Sequence, residues 1–172
     1  MRKIVLLGYM GSGKSVVAQL LAQRLNLPCL DLDAMIEYES NATISQIFEN
    51  QGEIKFRRLE HAIFKSLMQN EESFVLALGG GTPCYANNHE MFNLDGVSSI
   101  YLRTSIAVLI DRLSSEKAHR PLIANRNDDQ MQEFIAKSLF ERSYFYNQAQ
   151  YKVTTDEKSP EEIVLEIEKA LI

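Results

Sequence analysis

Cysteine is nearly absent from this chain. Only Cys29 and Cys84 occur, far apart, with no second cysteine or histidine at ligand spacing beside either. That argues against a disulfide framework or a zinc site and fits a reduced, cytoplasmic setting. Long apolar runs are missing too. The first one, Lys3-Ile4-Val5-Leu6-Leu7, is five residues long, too short for a signal peptide or a membrane span. Positive charge is in deficit, with 18 Lys and Arg against 23 Asp and Glu, a net charge of -5. A general affinity for nucleic acid or for anionic membranes is therefore not expected. No internal repeat, low-complexity block or linker divides the 172 residues, so a single domain over residues 1–172 is expected. His61, His89 and His119 have no partner arrangement that points to catalysis.

What is present is concentrated at Gly8-Tyr9-Met10-Gly11-Ser12-Gly13-Lys14-Ser15. This G-x-x-x-x-G-K-[ST] pattern follows the strand-like run of residues 3–7. It precedes Val16 to Leu25, where Val16, Val17, Leu20, Leu21 and Leu25 recur at helical spacing. Strand, loop and helix in that order make a phosphate site. Glycines let the backbone turn its N–H groups onto phosphate oxygens, and the helix start adds its own donors and dipole. Lys14 can reach the outer phosphates and the Ser15 hydroxyl can ligate Mg²⁺. The expectation is a nucleoside triphosphate binder with Gly11, Ser12, Gly13, Lys14, Ser15 and Val16 at the nucleotide. A GTP-dependent switch would carry Asp-x-x-Gly and Asn/Thr-Lys-x-Asp, and neither occurs.

Further along, Leu27 to Asp33 reads as a loop entering a short second strand. Asp31 and Asp33 are two apart, which on an extended segment points both carboxylates to one side. Two readings stay open: a helix N-cap for a segment starting at Ala34, or Mg²⁺ and hydroxyl handling beside the phosphate loop. Thr43-Ile44-Ser45-Gln46 is a capping box, Gly52 ends that helix, and a longer one runs to about Met68 carrying Arg57, Arg58 and Glu60. Arg57 is either a solvated surface charge or part of a fork for a carboxylate or phosphate. Phe74 to Leu78 is a buried parallel strand ending in Gly79-Gly80-Gly81, at the sheet end where ligands bind. That strand does not end in Asp or Glu, so Asp31 is the natural substitute as acidic Mg²⁺ ligand. A short helix at 88–94, a strand at 97–102 and a helix at 105–113 follow. The polar stretch after them suits a lid, with Arg112 and Arg120 flanking it. A helix from Asp128 to Tyr146 carries Arg142. A strand at 151–154 and a closing helix begun by Ser159-Pro160-Glu161-Glu162 complete the chain. Alternating strands and helices predict an α/β fold, a parallel sheet covered on both faces.

The set and order of these pieces resemble the shikimate kinase family. Gly-x-x-Gly-x-Gly-Lys-Ser is followed by Asp31-x-Asp33 and by Gly52-Glu53-x-x-Phe56-Arg57-x-x-Glu60. Then come Gly79-Gly80-Gly81 and Arg120-Pro121-Leu122, and the likeness runs from about residue 3 to 165. The resemblance implies a three-layer P-loop kinase fold with five parallel strands in order 2-3-1-4-5. A substrate-binding region would cover about residues 34–61 and a lid about 113–124. It also implies ATP-dependent phosphorylation of the 3-hydroxyl of shikimate by a monomeric enzyme with Mg²⁺. On that reading Arg57 and Arg142 hold the substrate carboxylate, and the Gly79, Gly80 and Gly81 amides add hydrogen bonds. Asp33 holds ring hydroxyls and can take the proton of the attacking one. Lys14 and Arg120 stabilise the moving phosphoryl group, Arg112 and Lys158 lie at the nucleotide, and Ser15 and Asp31 hold Mg²⁺. Three details differ or vary. Tyr144 stands where the family has a proline, although Tyr146 fits. The Arg112–Arg120 spacing varies in the family, and Lys158 lies where an adenine-packing arginine sometimes occurs. A gluconate-type kinase would keep the phosphate loop and lid but not need Arg57, the triple glycine and Arg142 together. A non-catalytic ATP-binding module is the other alternative.

Overall fold

The computed structural model describes residues 2–114 and 127–172. Its centre is a parallel sheet of five strands: β1 (Lys3–Leu7), β2 (Cys29–Asp31), β3 (Phe74–Ala77), β4 (Val97–Arg103) and β5 (Tyr151–Thr154). They lie in the order β2-β3-β1-β4-β5, as expected. In register, Lys3 of β1 sits beside Phe74 on one side and Val97 on the other. The helices are α1 (Lys14–Leu25), α2 (Leu32–Ser40), α3 (Ile44–Gln69), α4 (Ile106–Ser114), α5 (Asp128–Tyr146) and α6 (Pro160–Ala170).

Alternation along the strands divides the core in two. Ile4, Leu6, Val75, Ala77, Ile100 and Leu102 face α1 and α6, packing on Val17, Leu21, Ile163 and Ile167. Val5, Leu7, Phe74, Leu76 and Tyr101 face the other way, onto Ile36, Phe56, Phe64, Leu109 and Ile135. Strands buried on both faces explain why β1 and β3 read as unbroken apolar runs.

Two local readings need adjustment. Helix α2 starts at Leu32 rather than Ala34, so Asp33 occupies its first turn and not an extended strand. The two carboxylates therefore share a neighbourhood through a strand-to-helix corner, not through strand alternation. Within α3, Gly52 has φ 78° and ψ 169°, which breaks the helix into the two runs expected on either side of it. The segment expected to form a short helix at 88–94 is a 3-10 turn over Asn88–Asn93. Most of the expected lid, residues 115–124, and Arg120 with it, lies outside the described residues.

Candidate active site

The carboxyl ends of β1, β2 and β3 open into a cleft of about 630 Å³. Lining it are Gly11 to Val16, Asp31, Asp33, Gly79, Gly80, Arg112 and Lys158, residues expected to act together from the sequence. Met10, Val17, Leu78, Pro160 and Ile163 also line it and were not singled out beforehand.

At the phosphate loop, helix capping itself marks the ligand. Side chains cap the starts of α2, α3, α5 and α6: Asp31, Thr43, Asn127 and Ser159 respectively. The start of α1 is different. Its N-cap is Gly13 at φ 90°, with no side-chain cap and no acidic residue in the first turn. The first N–H groups of a helix have no carbonyl behind them, so this end is left for an anion. Gly8 has φ 149° and a Cβ there would come 2.8 Å from the Leu102 carbonyl oxygen, so that turn admits only glycine. Lys14 arches back over the loop and donates to the Gly8 and Tyr9 carbonyls at 3.0 and 2.9 Å. Ser12 is fully buried, and its hydroxyl finds no hydrogen-bond partner among the described residues. Val16 is exposed, on the cleft wall. Arg112 donates to the Gly11 carbonyl at 3.1 Å, which ties α4 to the loop. Lys158 is paired with Glu166 at 2.5 Å, so its ammonium is anchored against α6.

Asp31 caps α2 with one oxygen and turns the other toward Ser15. Oδ1 accepts from the Ala34 N–H at 3.1 Å and caps α2, while Oδ2 accepts from the Ser15 hydroxyl at 3.4 Å. A hydroxyl and a carboxylate facing one another beside the phosphate loop are a hard-oxygen donor pair suited to Mg²⁺. Asp33 is pushed up to about 6, first by burial, then by the Asp31 and Glu60 carboxylates, with Lys14 pulling the other way. Its carboxyl is thus poised to change protonation near neutrality.

The glycine triplet organises the other half of the site. None of the three has a left-handed backbone, so conformation does not demand glycine here. Space does. A Cβ on Gly79 would lie 2.9 Å from Asp33 Oδ1, one on Gly80 3.4 Å from Arg142 Nη1, and one on Gly81 2.8 Å from Arg57 Nη2. Each glycine faces one of the three side chains assigned to the acceptor. Arg57 and Arg142 do not line the main cleft; they border it behind the triplet.

Both guanidiniums are held. Arg57 donates to Glu60 Oε2 at 2.9 Å and Glu53 Oε1 at 3.3 Å, and lies 3.9 Å from the centre of the Tyr85 ring. Glu60 is almost fully buried, yet Arg57 on Oε2 and the Thr82 hydroxyl, 2.7 Å from Oε1, make that burial tolerable. Arg142 sits 5.4 Å from the centre of the Tyr9 ring. Tyr146, fully buried and one helical turn on, donates its hydroxyl to the Gly80 carbonyl at 2.5 Å. Burial drives the Tyr146 phenol well above its usual range. Tyr85, Glu53 and Thr82 had no role from sequence. Their partners stand 4 to 32 positions away, and only folding brings them together. Among the described residues no cluster of three or more His, Cys, Asp or Glu side chains suited to a metal occurs, and no helix is long and apolar enough to cross a membrane.

Comparison with known proteins gives the same answer from three directions. A family model described as shikimate kinase matches residues 10–172. The chain is 53% identical to the shikimate kinase of Flavobacterium johnsoniae over 167 residues, covering 97% of each chain. Its fold is similar to the crystal structure of shikimate kinase from Bacteroides thetaiotaomicron, with TM-score 0.91, 34% identity, and 99% and 98% of the two chains covered. It is also similar to shikimate kinase from Acinetobacter baumannii in complex with shikimate, with TM-score 0.86, 31% identity, and coverage of 99% and 93%.

Proposed function

The chain belongs to the shikimate kinase family, and from that premise we propose how its residues carry out the transfer. The enzyme is an ATP-dependent kinase acting on an alcohol group of shikimate, giving shikimate 3-phosphate and ADP. The observation that carries the residue assignment is the glycine triplet, which presents Asp33, Arg142 and Arg57 side by side at the edge of the phosphate cleft.

ATP enters with its phosphates on the Gly11–Val16 amides, at the uncapped end of α1. A phosphate oxygen there supplies the partner that the buried Ser12 hydroxyl lacks. Lys14, held near the loop by two carbonyls, turns to the outer phosphates. Arg112 and Lys158 form walls of the nucleotide half, and Arg120, outside the described residues, is assigned to the transferring phosphoryl group. Ser15 and Asp31 would hold Mg²⁺, which when bound shields the charge on the phosphates. Shikimate is a small acid with three hydroxyls. Arg57 and Arg142 take its carboxylate, the triplet amides add hydrogen bonds, and Asp33 takes a ring hydroxyl. With burial holding it near 6, Asp33 is largely ionised at pH 7 and accepts the proton of the attacking 3-hydroxyl. Most of the acceleration comes from positioning and charge stabilisation, as phosphoryl transfer requires.

We assign about residues 34–61 to acceptor binding and about 113–124, most of them outside the described residues, to a lid, and take the enzyme to be monomeric and cytoplasmic. The test is ADP release coupled to a reporter, with shikimate and with gluconate as a control acid. Turnover is expected with shikimate and not with gluconate. Turnover with gluconate alone would remove the acceptor roles of Arg57, Arg142 and Asp33.

A further inference from the structure

Behind the glycine triplet runs a chain of hydrogen bonds that the reaction as described does not use. The Asn88 side chain is fully buried. Its Nδ2 donates to the Thr82 carbonyl at 2.8 Å, and its Oδ1 stands 2.7 Å from His61 Nδ1. A carbonyl can only accept, so the amide group facing Thr82 must be Nδ2, and Oδ1 must then accept the proton of His61 Nδ1–H. The orientation of each member is therefore fixed by the next. Thr82, also fully buried, closes the triplet by donating its N–H to the Gly79 carbonyl at 3.2 Å. Its hydroxyl donates to Glu60 Oε1 at 2.7 Å. Glu60 uses its remaining oxygen, Oε2, on Arg57.

Every donor and acceptor in this series has one sensible partner, and the series ends on the guanidinium assigned to the substrate carboxylate. Without the Thr82 hydroxyl, Glu60 Oε1 would be buried and unsatisfied, and the carboxylate would turn to find another donor. Arg57 would follow it. Without Asn88, the Thr82 peptide loses the bond that fixes it from outside the loop.

We propose that Asn88 and Thr82 are positioning residues for the acceptor half of the reaction, acting through Glu60 on Arg57 and through the Thr82 peptide on the triplet. The inference rests on the assignment of Arg57 to the substrate carboxylate. It separates the two halves of the site, because none of Asn88, Thr82, Glu60 and Arg57 lines the nucleotide cleft.

Steady-state kinetics of Thr82→Val, Thr82→Ser and Asn88→Leu test it, with KM measured for shikimate and for ATP and nucleotide affinity measured directly. Thr82→Val is expected to raise the shikimate KM about ten- to a hundredfold and leave ATP within about twofold. Thr82→Ser keeps the hydroxyl and should return the shikimate KM to within a few-fold of the parent. Asn88→Leu should behave like Thr82→Val; if it no longer binds nucleotide, the Thr82 pair decides alone. A shikimate KM unchanged in Thr82→Val, or changed equally in Val and Ser, would overturn the proposal. So would a parallel rise for both substrates, the mark of a merely loosened fold. Arg57→Ala serves as control. If it leaves the shikimate KM unchanged, the fault lies with the assignment of Arg57 rather than with the relay.

Discussion

At the scale of single residues, the glycine triplet and Asp33 show how space and charge are set for the acceptor. The three glycines are not equivalent. Gly81 has an ordinary backbone, φ −94° and ψ −17°, so alanine fits the chain there, but its Cβ would strike the Arg57 guanidinium at 2.8 Å. Gly80→Ala meets Arg142 only at 3.4 Å. Gly81→Ala is therefore expected to raise the shikimate KM by about tenfold or more through displacement of Arg57, with Gly80→Ala milder. The reverse ranking would mean that ligand contact, not the arginine, dictates glycine at this loop. Asp33 poses the opposite problem, a charge kept where it is costly. Its folded value of about 6 lies above the usual 3.8. Below about pH 3.8 the carboxyl is neutral folded and unfolded. Between about pH 3.8 and 6 only the unfolded chain ionises, so stability falls across that window and levels off above it. Asp33→Asn in metal-free enzyme should match the parent near pH 3.5 and exceed it by up to about 3 kcal/mol above pH 7. The same variant should lose kcat by about a hundredfold or more. Equal denaturation midpoints at pH 4 and pH 8 would show that Asp33 is not strained in the resting site.

At the scale of elements, the sheet's two ends are served by different kinds of residue. The carboxyl end carries the site, while the opposite end is closed by Lys3. This lysine is fully buried in β1 and donates to the Met68 and Asn70 carbonyls at 2.5 and 2.6 Å, at the C-terminus of α3. A positive charge on open carbonyls suits the negative end of the helix dipole, which makes up for its burial. Lys3→Met keeps the length and loses the donors, so unfolding stability should fall by about 2 to 4 kcal/mol with both KM values unchanged. An unaltered denaturant midpoint would mean that water replaces the ammonium. Lys3 also illustrates what the sequence hides. As the first residue of a strand-like run it reads as a polar flank, because nothing local announces carbonyls some 65 positions away. The elements themselves were legible: five strands, their order by family likeness, the Gly52 break and the capping boxes. Local rules govern the strands, the Gly52 break and the boxes at Thr43 and Ser159, whereas the strand order rests on the likeness and the Asn127 box was not foreseen. The strand, glycine turn and helix of the phosphate loop were legible, as was Asp31 as a helix cap, although Asp33 proved to lie on a helix rather than a strand. Helix α2 starts as soon as the Asp31 carboxylate can cap it, and strand periodicity does not foresee that. The side chains that aim Arg57 and Arg142 were not legible in their roles. Tyr85, Asn88 and Tyr146 each gain meaning only from a neighbour on another element, and Glu60 only from Thr82 as well as Arg57.

At the scale of the whole molecule, both halves of the site sit at the carboxyl end of one sheet. Exposed large apolar side chains among the described residues are spread over several elements, including Tyr38 on α2, Phe48 and Ile54 on α3, Phe140 and Tyr144 on α5, and Leu165 on α6, with Ile54 and Tyr85 lining one pocket. A subunit interface of stable size needs a larger contiguous apolar centre than pairs such as Phe140 with Tyr144 or Ile54 with Tyr85. Net charge adds to this, since a surface at -5 repels its own copies at modest salt. Sedimentation should therefore give one species near 19.6 kDa, unchanged over a hundredfold range of protein concentration. A mass about twice that, growing with concentration, would show that Phe140 and Tyr144, one turn apart on α5, are a shared seam after all. In that event α5, which also carries Arg142, would couple the acceptor site to the partner subunit, and activity per chain would rise with protein concentration. Constant specific activity on dilution is what a self-contained site requires.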